Sequence, residues 1–182
     1  MAGPKRILIA DDDRVTVEVF AAALRAQHVR VVVAADAMQA VMYAIRETPD
    51  AIVLDIGMPG GTGLNALKKL RDNHKTNFIP ILVLTGLTDP DLPAKVHELG
   101  AAFARKPMRP AELHPMLMEL IERRAKLVEM VVEAMHGRTV EELLATLAEK
   151  GLDATEAEVN VVLNFLAGDG QAVETNGRWY VA

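Results

Sequence analysis

Five short apolar runs, each suited to a strand and each followed by a helical pattern, constrain this chain more than any other feature. They are Ile7 to Ala10, Val29 to Ala35, Ala51 to Asp55, Ile79 to Leu84 and Ala101 to Ala104. Between them lie helical patterns. Val15, Val19, Phe20, Ala23 and Leu24 form the stripe of the first, and Ala37 to Arg46, stopped near Thr48-Pro49, makes the second. Leu64 to Asp72 follows with a basic outer face, then Asp89 to Leu99, closed by Gly100 at C′. From Arg109 the chain turns helical again. Strands alternating with helices through short connections predict an α/β fold: a doubly wound, five-stranded parallel sheet covered on both faces.

In such a sheet ligands bind at the carboxyl ends of the strands. Those ends carry Asp11 and Asp12 after the first run, Asp55 after the third, Thr85 after the fourth and Lys106 after the fifth. Asp55 leads into a loop, Ile56-Gly57-Met58-Pro59-Gly60-Gly61-Thr62-Gly63, built for sharp turns. Three carboxylates side by side repel one another, and a hard divalent cation such as Mg²⁺ with oxygen-only ligands relieves them. Lys106 offers a point charge for a phosphoryl oxygen, and Thr85 a hydroxyl donor. Asp55, at the centre, is placed as a nucleophile, because carboxylates form aspartyl-phosphates. Each residue also has a plainer reading. Asp11 to Asp13 suit a helix N-cap, and Asp13 is assigned that role. Thr85 and Lys106, taken singly, are ordinary strand-end and surface residues. Phe103, taken singly, reads as core, and Gly60-Gly61 as plain turn. No Gly-Lys-Ser/Thr follows the glycines, so a Walker loop is excluded.

Over residues 5 to about 122 the chain resembles the receiver domain of two-component response regulators, whose fold is flavodoxin-like. The matching features are Asp11-Asp12, the loop Asp55-x-x-Met58-Pro59-x-x-x-Gly63, Thr85 followed by Gly86, and Lys106-Pro107. Phe103, three residues before the lysine, falls on the family's aromatic switch position. The resemblance implies that Asp55 accepts phosphate from a histidine kinase or phosphotransfer protein. It further implies Mg²⁺ held by Asp11, Asp12, Asp55 and the backbone carbonyl of Gly57, with a cis Lys106–Pro107 peptide orienting the lysine. Thr85 would then draw toward the phosphate and Phe103 would repack. Gly57 and Leu87, two residues after Asp55 and Thr85, cannot activate water for hydrolysis of the acyl phosphate. No separate substrate turnover is expected, so the chain is not read as an enzyme. A phosphatase with an aspartyl intermediate would need a general acid that the motif lacks.

Beyond the receiver (residues 1–122), residues 123–182 predict a small winged-helix-like α+β output or interaction domain. From Pro110 to His136 one helix of about 26 residues is expected, about 40 Å long, with a kink near Arg123-Arg124 as the alternative. It carries Leu113, Leu117, Leu120, Leu127 and Val131, interrupted by Arg124, and offers a seam for a homodimer. Capping boxes at Thr139–Glu142 and Thr155–Glu158 start helices at 140–149 and 156–167. Gln171 to Thr175 and Arg178 to Val181 flank Asn176-Gly177, a strong hairpin signal. Such a domain suggests DNA, but charge points to a protein partner. Residues 1–124 carry 16 Lys/Arg against 15 Asp/Glu, whereas residues 125–182 carry 4 against 10. DNA affinity rests on Lys/Arg contacts with phosphates, and the helix that would serve for recognition has Glu156 and Glu158 and no basic residue. Asn160 and Asn164 would be its base readers in the alternative, a phosphorylation-gated DNA-binding transcriptional regulator.

Composition closes off other classes. With no cysteine there is neither disulfide nor thiolate metal site, and the five histidines lack ligand spacing. No apolar run approaches the roughly 20 residues of a membrane span, so no membrane partner is expected. The opening residues lack a signal-peptide h-region, which predicts a cytoplasmic protein.

Overall fold

A computed structural model describes residues 3–58 and 63–182. The turn expected at Pro59, Gly60 and Gly61 lies outside the described residues. The chain divides into two compact units, Met1–Ile121 and Glu122–Ala182.

In the first unit β1 (Arg6–Ala10), α1 (Arg14–Ala26), β2 (Arg30–Ala34), α2 (Ala37–Glu47) and β3 (Ala51–Leu54) come first. They are followed by α3 (Gly63–Asp72), β4 (Ile81–Thr85), α4 (Leu92–Glu98), β5 (Ala102–Arg105) and α5 (Pro110–Ala134), which runs past the unit boundary. All four strand pairings are parallel, in the order β2-β1-β3-β4-β5. The winding therefore reverses between β1 and β3, and the strand ends there carry Asp11 and Asp55. Period-two alternation sorts the side chains onto two faces. Leu8, Ile52, Leu54, Ile81 and Val83 pack with Ala40, Ala44, Leu67, Leu70 and Val96 of α2, α3 and α4. Ile7, Ile9, Val53, Leu82 and Leu84 pack with Phe20, Leu24, Leu113 and Leu117 of α1 and α5.

Three details depart from expectation. The buried stripe of α1 is Val17, Phe20, Ala21 and Leu24, whereas Val15 is 69% and Val19 47% exposed. Two apolar stripes shared Phe20 and Leu24, and the sheet took the one centred on them. The β4 ladder starts at Ile81, since Pro80 has no N–H to donate; its carbonyl still accepts from Ile52 N–H at 2.9 Å. The helix expected from Asp89 starts at Leu92. Before it, the Asp89 side chain accepts from Asp91 N–H at 2.9 Å, a local turn that competes with the first helical residues.

The second unit holds the C-terminal part of α5, α6 (Val140–Glu149), α7 (Glu156–Gly168) and the antiparallel pair β6 (Ala172–Thr175) and β7 (Arg178–Val181). Both expected capping boxes are formed, with Thr139 and Thr155 bonded reciprocally to Glu142 and Glu158. Asn176 and Gly177 have φ of 53° and 75°, the two positive values that a type I′ turn demands. Leu127, Val131, Leu143, Leu147, Val159, Val162, Leu163 and Leu166 close its core. Arg124, which interrupts the apolar stripe of α5, is itself buried. Burial pulls its guanidinium down to about 10, against the nearby Glu158 charge.

Candidate functional site

The site is assembled by strand register. Asp55 N–H donates to the Ala10 carbonyl at 2.8 Å, and Asp11 N–H to that of Ala34 at 3.2 Å, so the last ladder bonds fix where both carboxylates emerge. Asp55 and Asp11 are buried at 7% and 6% exposure, while Asp12 faces solvent. Lys106 N–H donates to the Thr85 carbonyl at 2.9 Å, which ties the ends of β4 and β5 together. From there its ammonium reaches Asp11 Oδ2 at 2.7 Å and Asp55 Oδ2 at 2.6 Å. The Lys106–Pro107 peptide is cis. Asp13, as expected, caps α1: its carboxylate accepts from Val15 N–H and the Thr16 hydroxyl.

Gly57 lies between the acceptor and the hydroxyl. Its N–H donates to Asp55 Oδ1 at 2.7 Å. A Cβ placed there would stand 3.2 Å from Asp55 Oδ1 and 3.5 Å from Thr85 Oγ1, so the three groups border one small space. Gly63 fixes the far end of the loop. A Cβ on it would fall 2.2 Å from the Ile56 Cα, so only glycine lets α3 begin against that backbone. Thr85 is fully buried, and its Oγ1 accepts from Leu87 N–H at 3.3 Å. Phe103, on β5, packs partly buried against the face that holds α2 to α4.

Oxygens of Asp11, Asp12 and Asp55 all lie within 4.8 Å of one another. Burial pushes the Asp11 carboxyl up, with a smaller push from the Asp55 charge, and the Lys106 ammonium only partly opposes this. Burial pulls Lys106 down, yet its hydrogen bonds to Asp11 and Asp55 outweigh that and raise it. An ion pair should lower its acid, so the upward shift of Asp11 is the informative one. One ammonium shared by two buried carboxylates leaves the site short of positive charge. An oxygen-only donor set with that shortage fits a hard divalent cation.

Two arginines that sequence reasoning passed over hold backbone carbonyls, Arg105 beside the site and Arg71 at the opposite, amino ends of β4 and β5. Arg71 on α3 donates to the carbonyls of Asn77, Ile79, Leu99 and Gly100, tying together the segments that lead into β4 and β5. Arg105 donates to the Leu87 carbonyl at 2.8 Å and lies 5.5 Å from the Phe103 ring centroid. Loop carbonyls leave no mark in a sequence, so the only available signal was a cation beside Lys106 and two residues after an aromatic.

Known proteins resemble this chain in sequence and in fold. The chain is 36% identical over 104 residues to the response regulator PleD of Caulobacter vibrioides, which covers 57% of this chain and 23% of PleD. It is 29% identical over 151 residues to the transcriptional regulatory protein PdtaR of Mycobacterium tuberculosis, covering 82% of this chain and 67% of that one. This chain thus spans about a quarter of the length of PleD. Among solved structures, a CheY-like receiver domain protein from Methanospirillum hungatei superposes with a TM-score of 0.64 at 25% identity, covering 68% of this chain and 98% of the other. The receiver domain of the sensor histidine kinase PA1611 from Pseudomonas aeruginosa gives 0.59 at 32% identity, covering 66% and 99%. It carries a magnesium ion in its active-site cleft. Residues 7–118 match the family model of the response regulator receiver domain, and with that match the chain belongs to the receiver family of two-component signalling.

Proposed function

We propose that this chain is a response regulator that accepts a phosphoryl group on Asp55 and uses it to switch a C-terminal module that binds protein. The observation that carries the reading is the Lys106 ammonium held between Asp11 and Asp55, with Asp12 and Asp55 oxygens close by. The donor is a histidine kinase or phosphotransfer protein: its P–N bond breaks as a P–O bond to the Asp55 carboxylate forms, and the imidazole leaves with the electron pair. Asp11, Asp12, Asp55 and the Gly57 carbonyl would hold Mg²⁺, which when bound offsets the charge of carboxylates and phosphoryl oxygens. Lys106 steadies one phosphoryl oxygen. Thr85 donates its hydroxyl proton to another, a donor that the bond accepted from Leu87 N–H leaves available, and Phe103 repacks in response. No further substrate is turned over.

The helix–helix–hairpin order of the second unit is that of a small winged helix, and its charges favour a protein partner or a second copy. Arg123 pairs with Glu158, Lys150 with Glu133 and Arg178 with Glu142, while Arg138 donates to the Ala134 carbonyl. Those cations are already engaged. The DNA-binding alternative draws on relatives named as transcriptional regulators, PdtaR and the PhoB of Pseudomonas aeruginosa.

Incubation with acetyl phosphate and Mg²⁺ should add the mass of one phosphoryl group, and Asp55→Asn should abolish the adduct. An adduct that persists in the variant would move the acceptor elsewhere.

A further inference from the structure

Arg105, the last residue of β5, reaches back to the segment that follows β4, and three contacts converge on it. Thr85 and Arg105 are register partners at the ends of the two strands. The Arg105 guanidinium donates to the Leu87 carbonyl at 2.8 Å. The N–H of the same Leu87 donates to Thr85 Oγ1 at 3.3 Å. The guanidinium also lies over the Phe103 ring, 5.5 Å from its centroid. One exposed cation therefore holds the residue that engages the Thr85 hydroxyl, and it holds the aromatic ring as well. A hydroxyl can donate to a phosphoryl oxygen while it accepts. If Thr85 Oγ1 moves toward that oxygen, Leu87 either follows it, pulling on the bond from Arg105 to the Leu87 carbonyl, or loses its N–H bond. Inward movement of Phe103 takes the ring out from under the guanidinium.

We propose that Arg105 is a positioning residue for the phosphoacceptor site, a latch that holds Thr85–Leu87 and Phe103 in the unphosphorylated arrangement. The latch rests on the reading of Asp55 as phosphoacceptor. A contact made in only one of two states shifts their populations by its own free energy and no more. A hydrogen bond of this exposed kind changes an equilibrium about fivefold. The latch thus sets how readily the unmodified chain visits the phosphoryl-accepting arrangement. Lysine at 105 would keep a charge and a donor but lose the planar fork that serves a carbonyl and a ring together.

The test compares the full chain with Arg105→Gln and Arg105→Lys, in acetyl phosphate plus Mg²⁺ and in beryllofluoride plus Mg²⁺. Arg105→Gln should be labelled about fivefold faster and bind beryllofluoride about fivefold more tightly, with Arg105→Lys between it and the parent chain. A merely structural arginine would lower the melting temperature and leave both readouts where they were, and that result overturns the latch. Slower labelling overturns it too. Equal labelling of all three chains removes the latch and leaves Asp55 standing as acceptor; no labelling of any chain removes both.

Discussion

Lys106 holds the two buried carboxylates together. Its side chain is 22% exposed and those of Asp11 and Asp55 are 6% and 9% exposed, so water screens the pair only partly. Without the ammonium, two carboxylates face each other with no cation. Lys106→Met should therefore destabilise the unit by about 2 kcal/mol at neutral pH without Mg²⁺, below the cost for a fully buried pair. The pH dependence follows from Asp11. Its folded pKa lies above the ordinary 3.8, so the folded state keeps a proton that the unfolded chain has released. Stability then falls as pH rises through the window just above 3.8, and the Lys106→Met variant should deepen that fall. Lys106 itself is raised above 10.5, so its contribution is whole at neutral pH and is lost only as alkali takes the ammonium. Urea unfolding at pH 4 and pH 7 measures the difference, which should narrow at pH 4; a constant gap would show that Lys106 acts through packing alone. Much of this site was legible, because Asp11, Asp12, Asp55, Thr85 and Lys106 each follow an apolar run and strand order alone brings such ends together. What stayed hidden was contact with backbone. The four carbonyls held by Arg71 and the closeness of the Ile56 backbone to Gly63, where a Cβ would fall 2.2 Å from the Ile56 Cα, depend on how segments pass one another, which side-chain patterning does not encode.

Elements with chemical signals at both ends were read most closely. The two capping boxes place the starts of α6 and α7 where the structure has them, because Thr and Glu three residues apart satisfy each other's backbone groups. Where two solutions compete locally, patterning misplaced the residue, as with Val15 and Val19 on α1 and with the proline-flanked start of α4. The β6–β7 hairpin lies at the legible end, and its turn rests on backbone geometry alone. A Cβ on Gly177 would meet nothing within 4 Å, yet φ there is 75°. Gly177→Ala should thus cost about 1 kcal/mol, from left-handed strain without a clash. Trp179, the sole tryptophan, sits on β7 against the core of the second unit and reports the change by its fluorescence during thermal unfolding. An unchanged transition would mean that the turn relaxes to another type and that Asn176-Gly177 does not set the register.

Across the whole chain the charges divide sharply, and that division bears on the output. The first 124 residues are close to neutral, whereas residues 125–182 carry 10 acidic against 4 basic side chains. The structure adds what composition could not, namely that Arg138, Lys150 and Arg178 of that segment are engaged within their own unit. α7 exposes Asn164, which suits a base edge, but no free cation on that helix would place it against a phosphate backbone. Non-specific attraction to a duplex is purely electrostatic and strongest at low salt, since each lysine or arginine on a phosphate releases counterions. The chain, with and without beryllofluoride and Mg²⁺, should therefore leave a duplex unshifted in a gel at about 50 mM salt, where even weak electrostatic binding shows. A shift that appears with beryllofluoride and fades by about 200 mM salt would reverse the assignment. It would mean that phosphorylation frees Arg178 or Arg123 from its carboxylate and turns the second unit toward DNA.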